Sequence, residues 1–161
     1  MQEMELAMTN QYLNNVLQQY REVLENAIRS DLYRFRRYDV PFSMATFYSD
    51  TYDLMDMMRS LVRETDTLIE LDGHLVCVIY GNIGYAEAFK ASENILYDLN
   101  IIYPNVKISA GMTSVTTSDL PADLLRRVLQ NLGQASEKAE SYVGDDYVID
   151  YMIKKGFETI R

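Results

Sequence analysis

The side chains able to do chemistry are few and unevenly placed. Five arginines, Arg34, Arg36, Arg37, Arg59 and Arg63, fall close together in a chain that carries 24 acidic against 15 basic residues. Guanidinium groups meet phosphate or carboxylate in a two-pronged fashion, so such a cluster suits a small dianionic ligand. Arg63 is followed three residues on by Asp66, shortly before an Asp72-Gly73 turn signal. An R-x-x-D string is common, and Arg36 to Asp39 is a second one. Taken alone, Arg63 and Asp66 make an i,i+3 surface ion pair worth a few tenths of a kcal/mol.

Other chemistries are excluded. The single cysteine, Cys77, allows neither an intrachain disulfide framework nor a cysteine-built zinc site, and the single histidine, His74, leaves no two-histidine metal site. In a strand their odd separation puts them on opposite faces, so they form no catalytic pair. Cys77 reads as a buried thiol and His74 as a solvent-facing turn residue. Asp50, Asp53 and Asp56 cannot all converge along one helix turn, and acids at a helix start are ordinarily solvated and favourable to the dipole. No metal site is expected there. Gly81-Asn82-Ile83-Gly84 lacks the lysine and spacing of a phosphate loop. The 13 tyrosines lack interleaved basic residues and read as packing.

The elements that must position these groups belong to one domain's length of chain, 161 residues with 48% hydrophobic and 24% charged. A formal charge of −9 excludes long nucleic acid as a partner. The N-terminus is acidic and mixed, unlike a signal peptide, and no apolar run reaches the roughly 18 residues that cross a bilayer. A cytoplasmic location without membrane insertion is expected.

Residues 1–30 carry a 3-4 spacing. Asn10, Leu17 and Leu24 fall at a and Leu6, Leu13, Tyr20 and Ala27 at d, the seam of a short coiled coil in which an a-position Asn fixes a two-stranded state. The same spacing serves an amphipathic helix packed on its own domain. The remainder, residues 31–161, reads as strand Phe42 to Tyr48, helix Thr51 to Thr65, strands Thr67 to Leu71 and Leu75 to Tyr80 around Asp72-Gly73, and helix Tyr85 to Leu99. Strand Val106 to Val115 follows, then a helix from Leu120 to about Ser141 capped by Thr117-Ser118-Asp119. Tyr147 to Ile149 reads as a short strand and Tyr151 to Ile160 as helical. The fold class is α+β, a ferredoxin-like βαββαβ core with a long N-terminal helix and additional C-terminal helices. An antiparallel sheet with helices on one face is the simplest packing.

Three blocks in order then carry a resemblance. Arg37-Tyr38-Asp39-Val40-Pro41-Phe42-Ser43 resembles the "RY-x-x-P-L-S" segment of the GGDEF (diguanylate cyclase) domain. Arg63-Glu64-Thr65-Asp66 before Asp72-Gly73 looks like its RxxD element. Val106 to Met112 is similar to its "V-x-I-S-I-G-V" strand, followed by Leu124-Leu125-Arg126-Arg127 where the family has "LL-x-x-A-D". The resemblance spans roughly residues 20–149 and implies a GGDEF and nucleotide-cyclase-like fold.

Its catalytic parts do not carry over. Where family members hold metal with an Asp closing the first strand, this chain has Tyr48. The signature turn reads Asp72-Gly73-His74-Leu75-Val76, with Leu75 in place of the acidic ligand. The guanine-gripping stretch has no room between Asp50 and Arg63. The resemblance therefore implies a degenerate, non-catalytic domain without cofactor. Its RxxD element implies an inhibitory-type site for cyclic di-GMP: Arg63 facing guanine O6 and N7, Asp66 facing N1 and N2, and Arg34 in support, with Arg59, Arg37 and Lys90 adding positive field. Asn94 stands where a second arginine is usual. The partners implied are cyclic di-GMP, a second copy through the N-terminal helix, and a protein of a secretion or motility pathway. The alternative is a protein-interaction or dimerisation module that binds no nucleotide.

Overall fold

The computed structural model describes residues 10–50 and 53–146. Five strands form one sheet: β1 Phe42–Ser49, β2 Asp66–Asp72, β3 Leu75–Gly81, β4 Ile108–Ser114 and β5 Tyr142–Gly144. They lie in the order β2-β3-β1-β4-β5. β1 runs antiparallel to β3 and β4, with Phe42 opposite Gly81 and Ser43 opposite Ser114, while β5 adds parallel to β4. The helices are α1 Asn10–Tyr38, α2 Leu54–Met58, α3 Tyr85–Ile102 and α4 Pro121–Ser136. The first four strands with α2 and α3 make the expected ferredoxin-like unit.

The expectation of helices on one face is corrected. β3 is buried along Leu75–Tyr80 with no polar alternation, the mark of a strand covered on both sides. Leu75, Cys77 and Ile79 pack with Phe42 and Met44 beneath α1 and α4. Val76, Val78 and Tyr80 pack with Ala45 and Phe47 beneath α2 and α3. The sheet is thus mixed in direction and sandwiched between two helical layers.

α1 has neither Gly nor Pro in its 29 residues, so nothing in its interior breaks it. It stops where Asp39 turns left-handed at φ 55° and donates its N–H to Phe35 C=O at 2.9 Å, and Pro41 then forbids resumption. Leu13, Val16, Leu24, Ile28 and Leu32 are buried in the chain's own core, with Leu17, Tyr20 and Ala27 packed against it. The seam positions are therefore used intramolecularly, as an amphipathic helix uses them. Leu13 lies against Gly133 near the end of α4, and Arg36 reaches Asp119 just before its start, so α1 and α4 run antiparallel. Asn10 and Leu6 contribute nothing describable: the side chain of the first and the whole of the second lie outside the described residues.

Other boundaries move. α2 spans five residues rather than a helix through Thr65, because the Asp66 carboxylate takes the Arg63 N–H at 3.0 Å and Asp66 N–H bonds Arg63 C=O at 2.9 Å, closing a turn instead. The hairpin turn is Gly73-His74, with Asp72 paired to Leu75 and its carboxylate accepting the His74 N–H at 2.7 Å; no described glycine has a positive φ. α4 starts one residue later than expected, with Pro121 in its first turn and Asp123 accepting the Leu120 N–H at 2.9 Å, and it ends at Ser136. The last strand among the described residues is Tyr142–Gly144; the strand and helix expected over residues 147–160 lie outside the described residues. No helix among the described residues is long and apolar enough to cross a membrane.

Candidate functional site

Arg63 and Asp66 are brought together by the turn that feeds β2. Arg63 Nη2 meets Asp66 Oδ1 at 2.8 Å, and Nε lies 3.2 and 3.3 Å from the two carboxylate oxygens. The backbone N–H of Arg63 adds a fourth bond to the same carboxylate. Asp66 is covered, its side chain 2% exposed, while the Arg63 side chain is 49% exposed. The hydrogen bonds to Asp66 push the guanidinium pKa up, against the opposing effect of burial. Nη2 also lies 3.4 Å from Gly81 C=O, which places the pair at the sheet end where β1 begins and α1 finishes.

The other expected ligand residues sit on separate elements, each with its own local arrangement. Arg34, near the end of α1, bonds Asp31 at 2.9 Å. Arg59, in the turn after α2, lies 3.6 Å from Asp56, both widely exposed. Lys90 and Asn94 are exposed on α3. Arg37 lines a groove between α1 and the start of α4, and no residue of the 63–66 turn lines that groove. The chain thus assembles Arg63 and Asp66 directly, whereas Arg34 and Arg59 each face an acid three residues away.

The opposite end of the sheet holds the β2–β3 turn. Tyr48, closing β1, stacks edge-on against Tyr12 of α1 with centroids 6.1 Å apart, and it tilts over His74 at the same separation. His74 is drawn inward, its Nδ1 2.9 Å from Ser49 C=O, which corrects its expected solvent-facing position. Leu75 is fully buried under α1. Burial first, then the charges of Asp50 and Asp72, raise the Tyr48 phenol pKa; burial and Asp72 do the same for Tyr12. Both phenols stay neutral and acceptor-poor for a cation at neutral pH. Among the described residues no group of three or more His, Cys, Asp or Glu side chains is placed to hold a metal. Cys77 is buried, its thiol pushed up to about 12 by desolvation.

Two features escaped the sequence reading. Arg127 of α4 grips Asp119 with both terminal nitrogens and also bonds Thr113 Oγ1 at 2.6 Å and Ser114 C=O at 2.9 Å, joining α4 to β4. Asp146 extends this network, accepting from Thr113 Oγ1 and from Asn131 Nδ2, both at 2.7 Å. The partners are eight residues apart, outside helical i,i+3 or i,i+4 spacing, so no local pattern announces them. The second is the groove that takes Arg37 together with Arg29 and Arg36. Its sequence signal was the seven-residue step from Arg29 to Arg36 on one helix face.

The chain matches no protein-family model, and no curated protein matches it. Solved structures match over most of the chain. The GGDEF domain of YfiN (TpbB) from Pseudomonas aeruginosa superposes with a TM-score of 0.69 at 16% identity, over 84% of this chain and 94% of that one. The active GGEEF domain of a diguanylate cyclase from Vibrio cholerae gives 0.67 at 18% identity, over 77% and 94%. A microbial GGDEF domain described in a novel interaction mode with cyclic di-GMP gives 0.66 at 17% identity, over 78% and 92%. The chain has the fold of GGDEF domains.

Proposed function

We propose that this GGDEF-fold chain is a non-catalytic receptor that binds cyclic di-GMP through Arg63 and Asp66. One observation carries the reading: a buried carboxylate and a half-exposed guanidinium are already assembled at the entrance to β2. The Asp66 carboxylate keeps its backbone bond from Arg63 N–H when the guanidinium swings outward, so the acceptor for guanine N1 and N2 stays placed while Arg63 turns to O6 and N7. Arg34 supports a phosphate by leaving Asp31. The cost is the exchange of local ion pairs worth little at exposed positions. Cyclic di-GMP is also named as the ligand of a similar GGDEF domain.

The non-catalytic half of the reading rests on the other end of the sheet. A Mg²⁺ site for triphosphates needs hard anionic oxygens. The resemblance puts Tyr48 and Leu75 at those positions, and in support of the reading Tyr12 of α1 packs against Tyr48 while Leu75 is fully buried. Calorimetry with cyclic di-GMP tests the receptor: micromolar or tighter binding that Arg63→Ala removes is the expected result, and silence at high ligand concentration refutes it. Turnover of GTP with Mg²⁺ or Mn²⁺ above a blank refutes the non-catalytic reading.

A further inference from the structure

Among the described residues of this acidic chain the arginines divide into two groups. Arg21, Arg34, Arg59, Arg63, Arg126 and Arg127 each pair with a carboxylate. Arg29, Arg36 and Arg37 do not, and all three line one groove of about 520 Å³ between the second half of α1 and the start of α4. Among the described residues Arg29 bonds only the Asn26 amide oxygen, at 2.7 Å, and Arg36 only the Asp119 C=O, at 2.9 Å. The Arg37 guanidinium makes no hydrogen bond or ion pair among the described residues. Glu25, at the far end of the groove, is engaged by Arg21. The floor and walls are apolar, from Leu32, Tyr33 and Pro121. Tyr33 is 58% exposed and set edge-on against Tyr38, itself 64% exposed, and Leu120 beside Pro121 is 62% exposed.

We infer that this groove docks an acidic segment of a partner protein that carries apolar or aromatic side chains between its carboxylates. In a chain of net charge −9, three guanidinium groups without a counter-ion among the described residues, on one surface, form a local anion site. Pro121 in the first turn of α4 adds the positive end of a 16-residue helix. Arg29 and Arg36 lie seven residues apart on one helix face, ~10 Å along the axis, wider than one carboxylate or phosphate group reaches. Several anions strung along a chain fit that spacing. The exposed Tyr33, Tyr38 and Leu120 give its apolar side chains a place to bury, as anchor residues do at protein interfaces. The inference is independent of the Arg63 and Asp66 site.

The test is fluorescence anisotropy at low ionic strength with a labelled peptide alternating Asp and Glu with Leu and Phe, beside its Asn and Gln counterpart. The acidic peptide is expected to bind with micromolar affinity and the neutral one not. R29A/R37A, both at exposed positions, is expected to weaken the acidic peptide by ~10-fold or more with circular dichroism unchanged, and Arg29→Ala alone to leave cyclic di-GMP calorimetry unchanged. Arg37→Glu, a repulsive change, is expected to weaken it further. Equal binding of the two peptides, undiminished binding by R29A/R37A and Arg37→Glu, or displacement of the peptide by cyclic di-GMP would each overturn the inference, the last by making the groove part of the nucleotide site.

Discussion

Arg127 holds Asp119 in a bidentate grip, Nη1 to Oδ1 at 2.9 Å and Nη2 to Oδ2 at 2.8 Å, with the carboxylate side chain only 4% exposed. Asp119 also accepts the Thr116 N–H at 2.8 Å, so this pair fastens the loop between β4 and α4 to the helix that follows it. Burial by itself raises the Asp119 pKa, but the Arg127 fork and the Thr116 N–H outweigh it and hold the group below the usual carboxylate range.

Removing one partner strands the other. Arg127→Met leaves a covered carboxylate without its cation, expected to cost about 3 kcal/mol at neutral pH, the lower end for a buried pair because Arg127 is a quarter exposed. The pH dependence follows from the lowered folded pKa. Asp119 adds stability above its unfolded value of about 3.9, and that stability is lost as pH falls through the folded pKa. In Arg127→Met burial is opposed only by the Thr116 hydrogen bond, and the variant gains relative stability as its carboxyl protonates. Urea unfolding at stepped pH should show the deficit widest near neutrality and narrowing below about pH 4. A deficit that does not change with pH would remove the ion pair from the explanation.

The Arg63 and Asp66 pair makes a contrasting prediction. Arg63 is half exposed and the Asp66 carboxylate keeps a backbone N–H, so Arg63→Ala is expected to cost no more than about 1 kcal/mol of stability. Loss of a two-pronged contact to guanine should nevertheless weaken cyclic di-GMP by ~10-fold or more, and Arg63→Lys should not fully restore it, since an ammonium lacks the planar fork that meets O6 and N7 in two parallel bonds. Full rescue by lysine, measured by calorimetry, would show a simple charge effect rather than guanine recognition.

Cys77 offers a probe of global opening. Its thiol is fully buried in β3 and pushed up to about 12 by desolvation, so neither access nor thiolate is available in the folded chain. A thiol reagent at mildly alkaline pH should leave Cys77 untouched in native buffer and react fully in guanidinium chloride. Rapid labelling of native protein would mean that β3 opens locally.

The β-α-β-β-α-β succession, the β2–β3 hairpin and the contact of Arg63 with Asp66 were legible because each is written in local spacing. The rest depended on partners distant in sequence. Leu13, Leu17 and Leu24 have the same 3-4 spacing whether they face another helix of a dimer or, as here, the chain's own sheet and α4. The unbroken Leu75 to Tyr80 run carries the mark of a strand covered on both faces, a signal the one-face expectation passed over. Residues 59–65 suit a helix by propensity, and the Asp66 carboxylate overrides it from outside the segment. The Arg127 and Asp119 pair joins a helix to the loop before it, a distance no helical period contains.

Glycine substitutions test the packing of α4 on the sheet. A Cβ at Gly111, in the middle of β4, would fall inside the backbone of Leu132 and Val128, so the helix rests directly on the strand there. Backbone cannot rotate aside as a side chain can. Gly111→Ala is therefore expected to cost about 3 kcal/mol or more, the upper range of overpacking. At Gly84, by contrast, a Cβ meets nothing within 4 Å and φ is −92°. There the reduced freedom of the unfolded chain is offset by a poorer residue at the start of α3, and Gly84→Ala should change stability by no more than about 0.5 kcal/mol. The two variants make the same chemical change, so denaturant unfolding of both separates close helix-on-strand contact from any general effect of losing a glycine. A small loss at Gly111 would place α4 farther from β4 than the structure has it.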